Sequence, residues 1–427
     1  MKQLRIGIFI DDFFPKSGGV ARSVELQINE LVQMGHKVTL FAPKPFFIPP
    51  ENCESEALDV WRIPGTESFL NSLKFSKKIA QRIAKEYVFD VIHSENERGA
   101  LFLATQIAKI QDVPHVHTFH SNYAGTHRTS PFLSALNSLT YLHIAPLIMR
   151  RLRPERSGMK LYFPRDLSAP ERVPLARADW KNVARLAQYV DAFTSPADFV
   201  IDAIVDASRG KLKERAHVIP NGVSPIFAKA KRIRPDEEIV RFLSCGRLDP
   251  EKRVDIIIKA FQKLHHDNTE LYIVGSGSME TELRRLAKKE IENETIKFLG
   301  HYNDIERIAN EFANADVFVF ASYRFDTQGM VLAEAAASGT PIIYCDDRLK
   351  VGVTPENSVL VHASVSAIEE GMRFFVQNRD KQAAMAESSK EVGKGVSAEI
   401  MEHRFVAVYE RVVESYETPV RQRRRHL

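Results

Sequence analysis

The chain is predicted to fold as α/β, with two doubly wound parallel-sheet domains, on three observations: its length, a strand-helix alternation that stops and restarts, and glycine-rich turns at the strand ends. At 427 residues a single hydrophobic core has stopped growing, so two domains are the default. Hydrophobic content of 44% and charged content of 27% exclude disordered and collagen-like classes. The opening apolar run Leu4 to Ile10 is stopped by Asp11 and Asp12, well short of a secretory segment or a membrane span, so a cytoplasmic protein is expected. Cys53, Cys245 and Cys345 are odd in number and widely spaced, which argues against a disulfide framework or a cysteine-rich zinc site.

The first segment reads strand (Leu4 to Ile10), loop, helix (Val20 to Met34), strand (Lys37 to Ala42). Val20, Val24, Ile28, Leu31 and Val32 recur at helical spacing, and Gly35 closes the helix. Further strands are expected at Phe89 to His93, His115 to Phe119, Ala192 to Ser195 and His217 to Ile219. Helical patterns between them call for a parallel sheet. A polar, basic stretch follows Pro220 to Pro225, and the alternation restarts with strands at Arg241 to Cys245, Glu270 to Val274, Thr295 to Leu299, Asp316 to Phe320 and Pro341 to Cys345. The expected division is therefore 1–225, a linker at 226–239, a second domain at 240–395, and 396–427 as a helix returning toward the first domain plus a basic tail. Ligands of such sheets lie beyond the carboxyl ends of the strands, so the cleft between two such domains is the expected site.

One block concentrates chemistry. Val317 to Phe320 reads as a buried strand and Met330 to Ser338 as an Ala-rich helix, so the loop between them delivers Gly329 to a helix N-terminus. Unpaired N–H groups and the helix dipole favour an anion there, and a glycine lets a phosphate approach the backbone. Diphosphate is the natural guest. Glu334 is the only ionisable residue of that helix. Buried, it needs hydrogen-bond donors, which either a ribose diol or a neighbouring arginine would supply.

Several motifs coincide along the chain: Gly18-Gly19-Val20, His117-Thr-Phe-His120, Ile219-Pro-Asn-Gly-Val223, Gly246-Arg-Leu-Asp-Pro-Glu-Lys252, Val274-Gly275-Ser-Gly277, Phe298-Leu-Gly300 and the block from Asp326 to Glu334. In order and spacing they resemble the retaining glycosyltransferases of family 4. The resemblance covers nearly the whole chain and implies the GT-B fold, two facing Rossmann-like domains with an interdomain cleft. It also implies transfer of a hexose from a UDP- or GDP-linked sugar, with no cofactor and no metal.

By the same resemblance, Arg247 and Lys252 grip the donor diphosphate, as permanent cations suit a dianionic leaving group. Gly19, Gly275, Thr327, Gln328, Gly329 and Met330 bring backbone to the donor, and Glu334 fastens the pentose. His120 hydrogen-bonds the transferred sugar, while His117 is structural. Asp326 departs from the family pattern, which has two Glu separated by seven residues. It is one methylene shorter, so it either reaches a sugar hydroxyl from a closer loop or marks weakened catalysis.

The acceptor side is basic. Residues 150–185 hold ten Lys or Arg against four Asp or Glu, beside an apolar but interrupted stretch, Pro131 to Met149, too polar for a membrane span. Together they suit an anionic membrane face, at up to ~1 kcal/mol per basic residue. A basic helix at Lys74 to Lys85 and the tail Arg421 to Arg425 could add to this. His117 to Tyr123 and the Thr327-Gln328-Gly329 loop also resemble the subset that glycosylates diacylglycerol or related lipids. A lipid acceptor is therefore expected, with the protein peripheral at the inner face of the cell membrane. The alternatives are a soluble acceptor (sugar phosphate, inositol phosphate or polysaccharide) and a non-catalytic sugar-nucleotide-binding protein. Nucleic acid is not an expected partner, because no aromatics interleave with the arginines at a module's spacing.

Overall fold

The computed structural model describes residues 2–13, 18–44, 48, 50–61, 71–129, 131–165, 174–234, 238–264 and 266–417. The chain divides into two compact units, Met1–Pro220 with Met401–Leu427, and Asn221–Ile400.

The first unit runs β1 (Arg5–Phe9), α1 (Gly19–Gln33), β2 (Lys37–Pro43), β3 (Glu54–Leu58), β4 (Val60–Trp61), β5 (Ser72–Leu73), α2 (Lys77–Glu86), β6 (Val91–Ser94), α3 (Gly99–Gln111) and β7 (His115–Thr118). It continues through α4 (Tyr123–Thr129), α5 (Pro131–Leu139), α6 (Tyr141–Leu152), α7 (Pro174–Ala187), β8 (Ala192–Ser195), α8 (Asp198–Ala207) and β9 (Ala216–Val218). Seven strands form one sheet in the order β3-β2-β1-β6-β7-β8-β9, and every pairing in it is parallel. Parallel strands covered on both faces read as continuous apolar runs, as Ile6, Ile8 and Phe9 do here. Gly7 breaks the run because a Cβ there would come 2.9 Å from the Phe89 ring.

The second unit runs α9 (Pro225–Lys229), β10 (Val240–Cys245), α10 (Val254–Leu264), β11 (Thr269–Val274), α11 (Glu280–Leu286), α12 (Lys288–Glu292), β12 (Ile296–Gly300), α13 (Ile305–Asn314) and β13 (Val317–Phe320). After them come α14 (Met330–Ala337), β14 (Ile342–Tyr344), β15 (Ser358–Leu360), α15 (Val365–Gln377), α16 (Arg379–Lys394) and α17 (Ala398–Glu417). Its six strands pair in the order β12-β11-β10-β13-β14-β15, again in parallel. Both units are thus Rossmann-like, as the alternation predicted. The strands that the pattern did not predict lie at sheet edges or outside the main sheets: β3 carries Glu-Ser-Glu-Ala-Leu, and β15 has three residues.

From Met401 onward α17 belongs to the first unit. Met401, Phe405, Val408, Tyr409 and Val412 share one core with β1 and α1, at the spacing that puts residues on one helix face. Fully burying each such side chain contributes about 1.5–3 kcal/mol, which holds a sequence-distant helix on the first sheet. Residues 166–173 of the basic segment and the tail at 421–425 lie outside the described residues.

Candidate functional site

In the second unit β10 and β13 are neighbours, so the loops at their carboxyl ends are brought together. Three glycines let the loop after β10 pack against the loop after β11. A Cβ on Gly275, whose φ is +135°, would stand 1.8 Å from the Gly246 carbonyl oxygen, and one on Gly277 would stand 2.5 Å from the Leu248 backbone. Only glycines permit that approach. The loops are then tied by Leu248 N donating to Ser276 O (2.9 Å), Met279 N to Leu248 O (2.8 Å), and Ser278 N and Oγ to Asp249 (2.9 and 2.8 Å).

This framework aims two cations. Arg247 is 58% exposed and forms ion pairs with Asp249 and Glu251 of its own loop. Lys252 ends a 3₁₀ turn, Pro250–Lys252, followed by Arg253 in the left-handed region at φ 53°. Its Nζ lies 2.5 Å from Asp326 Oδ1 and 5.8 Å from the ring centroids of Phe320 and Phe325. Ser322 Oγ donates to the other Asp326 oxygen. Burial alone would raise the Asp326 carboxyl; the Lys252 charge and hydrogen bond, Ser322 and Arg247 outweigh it and hold it below the usual carboxylate range. Beside the pair, a small crevice is lined by Ser244, Gly246, Arg247, Lys252 and Phe320.

Gly329 caps α14 in the left-handed region (φ 72°, ψ 65°), the conformation a glycine takes most readily. Glu334 is buried on that helix, at 4% exposure. The Gln328 side chain is committed to backbone. Its Nε2 donates to Asn221 O at 2.9 Å and its Oε1 accepts from Asn221 N at 2.7 Å, which pins the Asp326-to-Gly329 loop to the turn that opens the unit. Thus Arg247, Lys252, Gly275 and the 326–334 block gather at one end of one sheet. Ser322 was not foreseen; one hydroxyl in a strand-end loop carries no pattern.

In the first unit Gly19 is the first residue of α1, behind the Gly18 cap. His120 follows β7, with Nε2 2.7 Å from Glu95 Oε2, both side chains buried. Glu95 Oε1 is 3.2 Å from His93 Nε2, and His93 Nδ1 is 2.6 Å from the Tyr409 hydroxyl of α17. Burial pushes the Glu95 carboxyl up, but the His93 charge, the His120 hydrogen bond and His117 bring it below its ordinary value. His117 is fully buried, bonded through Nδ1 to Ser94 (2.7 Å) and pushed by burial down to about 3. Glu95 was missed. Its signal is Ser94-Glu95-Asn96-Glu97, an acidic tetrapeptide closing an apolar strand.

Asp11, Asp12 and Asp346 are engaged within the fold. Asp11 accepts from Leu73 N (2.7 Å) and Ala100 N (3.1 Å), and Asp12 pairs with Arg98 at 3.2 Å. Asp346 accepts from Arg324 N (2.6 Å) and pairs with Arg348 (3.1 Å). Among the described residues no group of three or more His, Cys, Asp or Glu side chains gathers as a metal would require.

The sequence profile described as Glycosyltransferase Family 4 matches residues 17–226, and that described as Glycosyl transferases group 1 matches residues 226–392. An alpha-monoglucosyldiacylglycerol synthase of Streptococcus pneumoniae is 27% identical over 362 residues, 80% of this chain and 70% of that one. A phosphatidyl-myo-inositol mannosyltransferase of Mycolicibacterium smegmatis is 30% identical over 357 residues, 80% and 76% of the two chains. Among solved structures, Anabaena HepE in complex with UDP matches with a TM-score of 0.66 at 15% identity, covering 95% of this chain and 99% of that one. A sucrose-phosphate synthase from Thermosynechococcus elongatus matches at 0.69 and 17% identity, covering 97% and 100%.

Proposed function

Because the chain belongs to glycosyltransferase family 4 and has the GT-B fold, we propose that it is a retaining, metal-independent hexosyltransferase that moves a sugar from a UDP- or GDP-linked donor to a membrane lipid such as diacylglycerol. The observation that carries the reading is the Lys252–Asp326 pair with Arg247 at the carboxyl ends of adjacent strands. Diphosphate competes with Asp249, Glu251 and Asp326 for the two cations, which then stabilise the charge that develops as the sugar departs. The Gly329 helix end supplies amides to the same anion. Released from Lys252, Asp326 is left to accept a sugar hydroxyl, Glu334 fastens the ribose, and His120 hydrogen-bonds the transferred sugar. The donor class is supported by the UDP bound in the HepE structure, and the lipid acceptor by the diacylglycerol and phosphatidylinositol of the relatives' names.

A lipid is preferred over a soluble acceptor because of one face of the first unit. Phe132, Leu136 and Leu139 stand exposed on α5 at 79%, 51% and 64%, and Ile144 and Leu147 on α6. They recur at i, i+4, i+7 and i, i+3, one stripe per helix. Arg150 and Arg151, both exposed, follow at once. No helix among the described residues is long and apolar enough to cross a membrane; in this reading the membrane is met peripherally, from the cytoplasmic side.

The test is a thermal-shift screen of UDP- and GDP-sugars, followed by transfer to dioleoylglycerol with and without EDTA. Ligand at a hundred times Kd adds about 2.7 kcal/mol of stability, so the matching donor raises the melting temperature. Absence of a shift with every nucleotide sugar overturns the donor reading. Loss of transfer on chelation, restored by manganese or magnesium, overturns metal independence.

A further inference from the structure

We infer that Glu95 is a positioning residue that fixes the ring of His120 with its proton on Nε2 and its lone pair on Nδ1, so that His120 meets a hydroxyl as an acceptor. The inference rests on the reading of His120 as the residue beside the transferred sugar, and adds the group that orients it.

An ionised carboxylate only accepts hydrogen bonds. At 2.7 Å from Glu95 Oε2, His120 Nε2 must therefore be the donor. A neutral imidazole with its hydrogen on Nε2 offers Nδ1 as a lone pair, which fits the O–H of a sugar or alcohol and not the oxygen of a phosphate. Without Glu95 both tautomers are accessible and half the orientations present the wrong atom.

The carboxylate is itself held. Its second oxygen lies 3.2 Å from His93 Nε2 without a hydrogen bond, and the His93 ring is fixed at Nε2 by the Thr118 hydroxyl at 2.7 Å and at Nδ1 by the Tyr409 hydroxyl at 2.6 Å. Tyr409 in turn accepts from Gln27 Nε2 at 3.3 Å, so the row His120, Glu95, His93, Tyr409, Gln27 ends in α1. All but His120 are under 3% exposed. Burial raises the Glu95 carboxyl, but the nearby His93 charge and the one hydrogen bond, from His120, outweigh it and hold its titration below the ordinary value. The row also gives α17 a role at the site, since a helix more than 300 residues away in sequence from β6 supplies one of the two hydroxyls that fix the His93 ring.

Two measurements test this. Histidine labelled with ¹⁵N, with the His120 signals identified by their loss in His120→Ala, is expected to show the Nε2–H form in the wild type and a mixture in Glu95→Gln. An Nδ1–H form in the wild type overturns the inference. For transfer from UDP-glucose to dioleoylglycerol in anionic vesicles, Glu95→Gln and Glu95→Asp are each expected to lower kcat by roughly tenfold or more with little change in donor KM, as carboxylates that orient histidines do at metal sites. In the His120→Ala background the same changes are expected to cost almost nothing further, because residues acting as one unit are not additive. A loss that persists undiminished in that background overturns the inference. The underlying reading fails separately: His120→Ala with unaltered transfer would remove the role of His120 while leaving the Glu95 geometry intact.

Discussion

Lys252 and Asp326 form an ion pair of 2.5 Å, with side chains only 18% and 15% exposed, between the loops that follow two adjacent strands. Removing one member of a buried pair leaves the other charged and unpaired, at a cost of roughly 3–5 kcal/mol, whereas replacing both with apolar groups of similar volume is close to neutral. Lys252→Ala is therefore expected to lose about that much stability in urea, and the double change Lys252→Met with Asp326→Leu to recover most of it while failing to bind donor. A single variant that loses less than about 1 kcal/mol would mean that water screens the pair.

The close approach of Gly246 and Gly275 gives a sharper contrast. Gly275→Ala puts a methyl 1.8 Å from a carbonyl oxygen at φ +135°. A displaced backbone and a strained φ are expected to cost at least about 3 kcal/mol. Gly18→Ala, with nothing within 4 Å of the added carbon and no positive φ, is expected to melt with the wild type. Calorimetry on both separates glycine kept for space from glycine kept for other reasons.

These cases show what was legible in the sequence. The strand ends and the helix opened by Gly329 follow from apolar periodicity and turn chemistry, which are local, and Lys252 was singled out by the resemblance of its motif to the family. The partner of Lys252 did not follow, because Asp326 lies 74 residues away and spacing carries no information about which loop comes near. Tyr409 is further still, 316 residues from His93. Gln328 was legible as part of a loop motif, but its attachment to Asn221 was not. The edge strand β3 went unseen because its residues, Glu-Ser-Glu-Ala-Leu, lack an apolar run.

Gln328 makes its own prediction. It satisfies both backbone groups of Asn221, and each buried group left unpaired costs about 1–3 kcal/mol. Gln328→Ala is expected to lower the melting temperature by several degrees, about 2–4 °C per kcal/mol at this size, and to weaken donor binding through the loosened loop. Unchanged melting with weakened binding would instead make Gln328 a direct ligand of the donor.

Burial sets the pH dependence of the first unit. It pushes the Asp11 carboxyl up to about 6 and that of Asp12 up to about 7, the Arg98 charge opposing it in both. In the unfolded chain both release protons near the ordinary value of about 3.9. Between that value and about 7 the folded state holds more protons, so their contribution to stability falls as the pH rises. Asp326 has the opposite sign: its lowered carboxyl stabilises above the ordinary value and is lost only in more acidic solution. The gain in melting temperature of Asp12→Asn over the wild type is expected to grow from about pH 4 to pH 7, a difference in which opposing contributions common to both proteins, such as that of the lowered His117, cancel. A profile unaffected by that change would place the titration elsewhere.

The apolar stripes on α5 and α6 are expected to act only at a surface. Exposed side chains contribute little to folding, so Phe132→Ser, Leu136→Ser and Leu139→Ser together are expected to leave the melting temperature within a degree or two. The same three side chains inserted in a lipid interface would each leave water, at about 1.5–3 kcal/mol for complete burial and less for partial. The triple variant is therefore expected to lose most of its sedimentation with vesicles containing anionic lipid. Salt separates the two contributions: screening weakens the attraction of Arg150 and Arg151 to the surface but not apolar insertion. Wild-type binding is accordingly expected to fall on raising salt without vanishing, whereas the triple variant, left with only Ile144 and Leu147 to insert, is expected to bind more weakly at every salt concentration. Equal sedimentation of the two proteins at every salt concentration would show that α5 does not face the membrane.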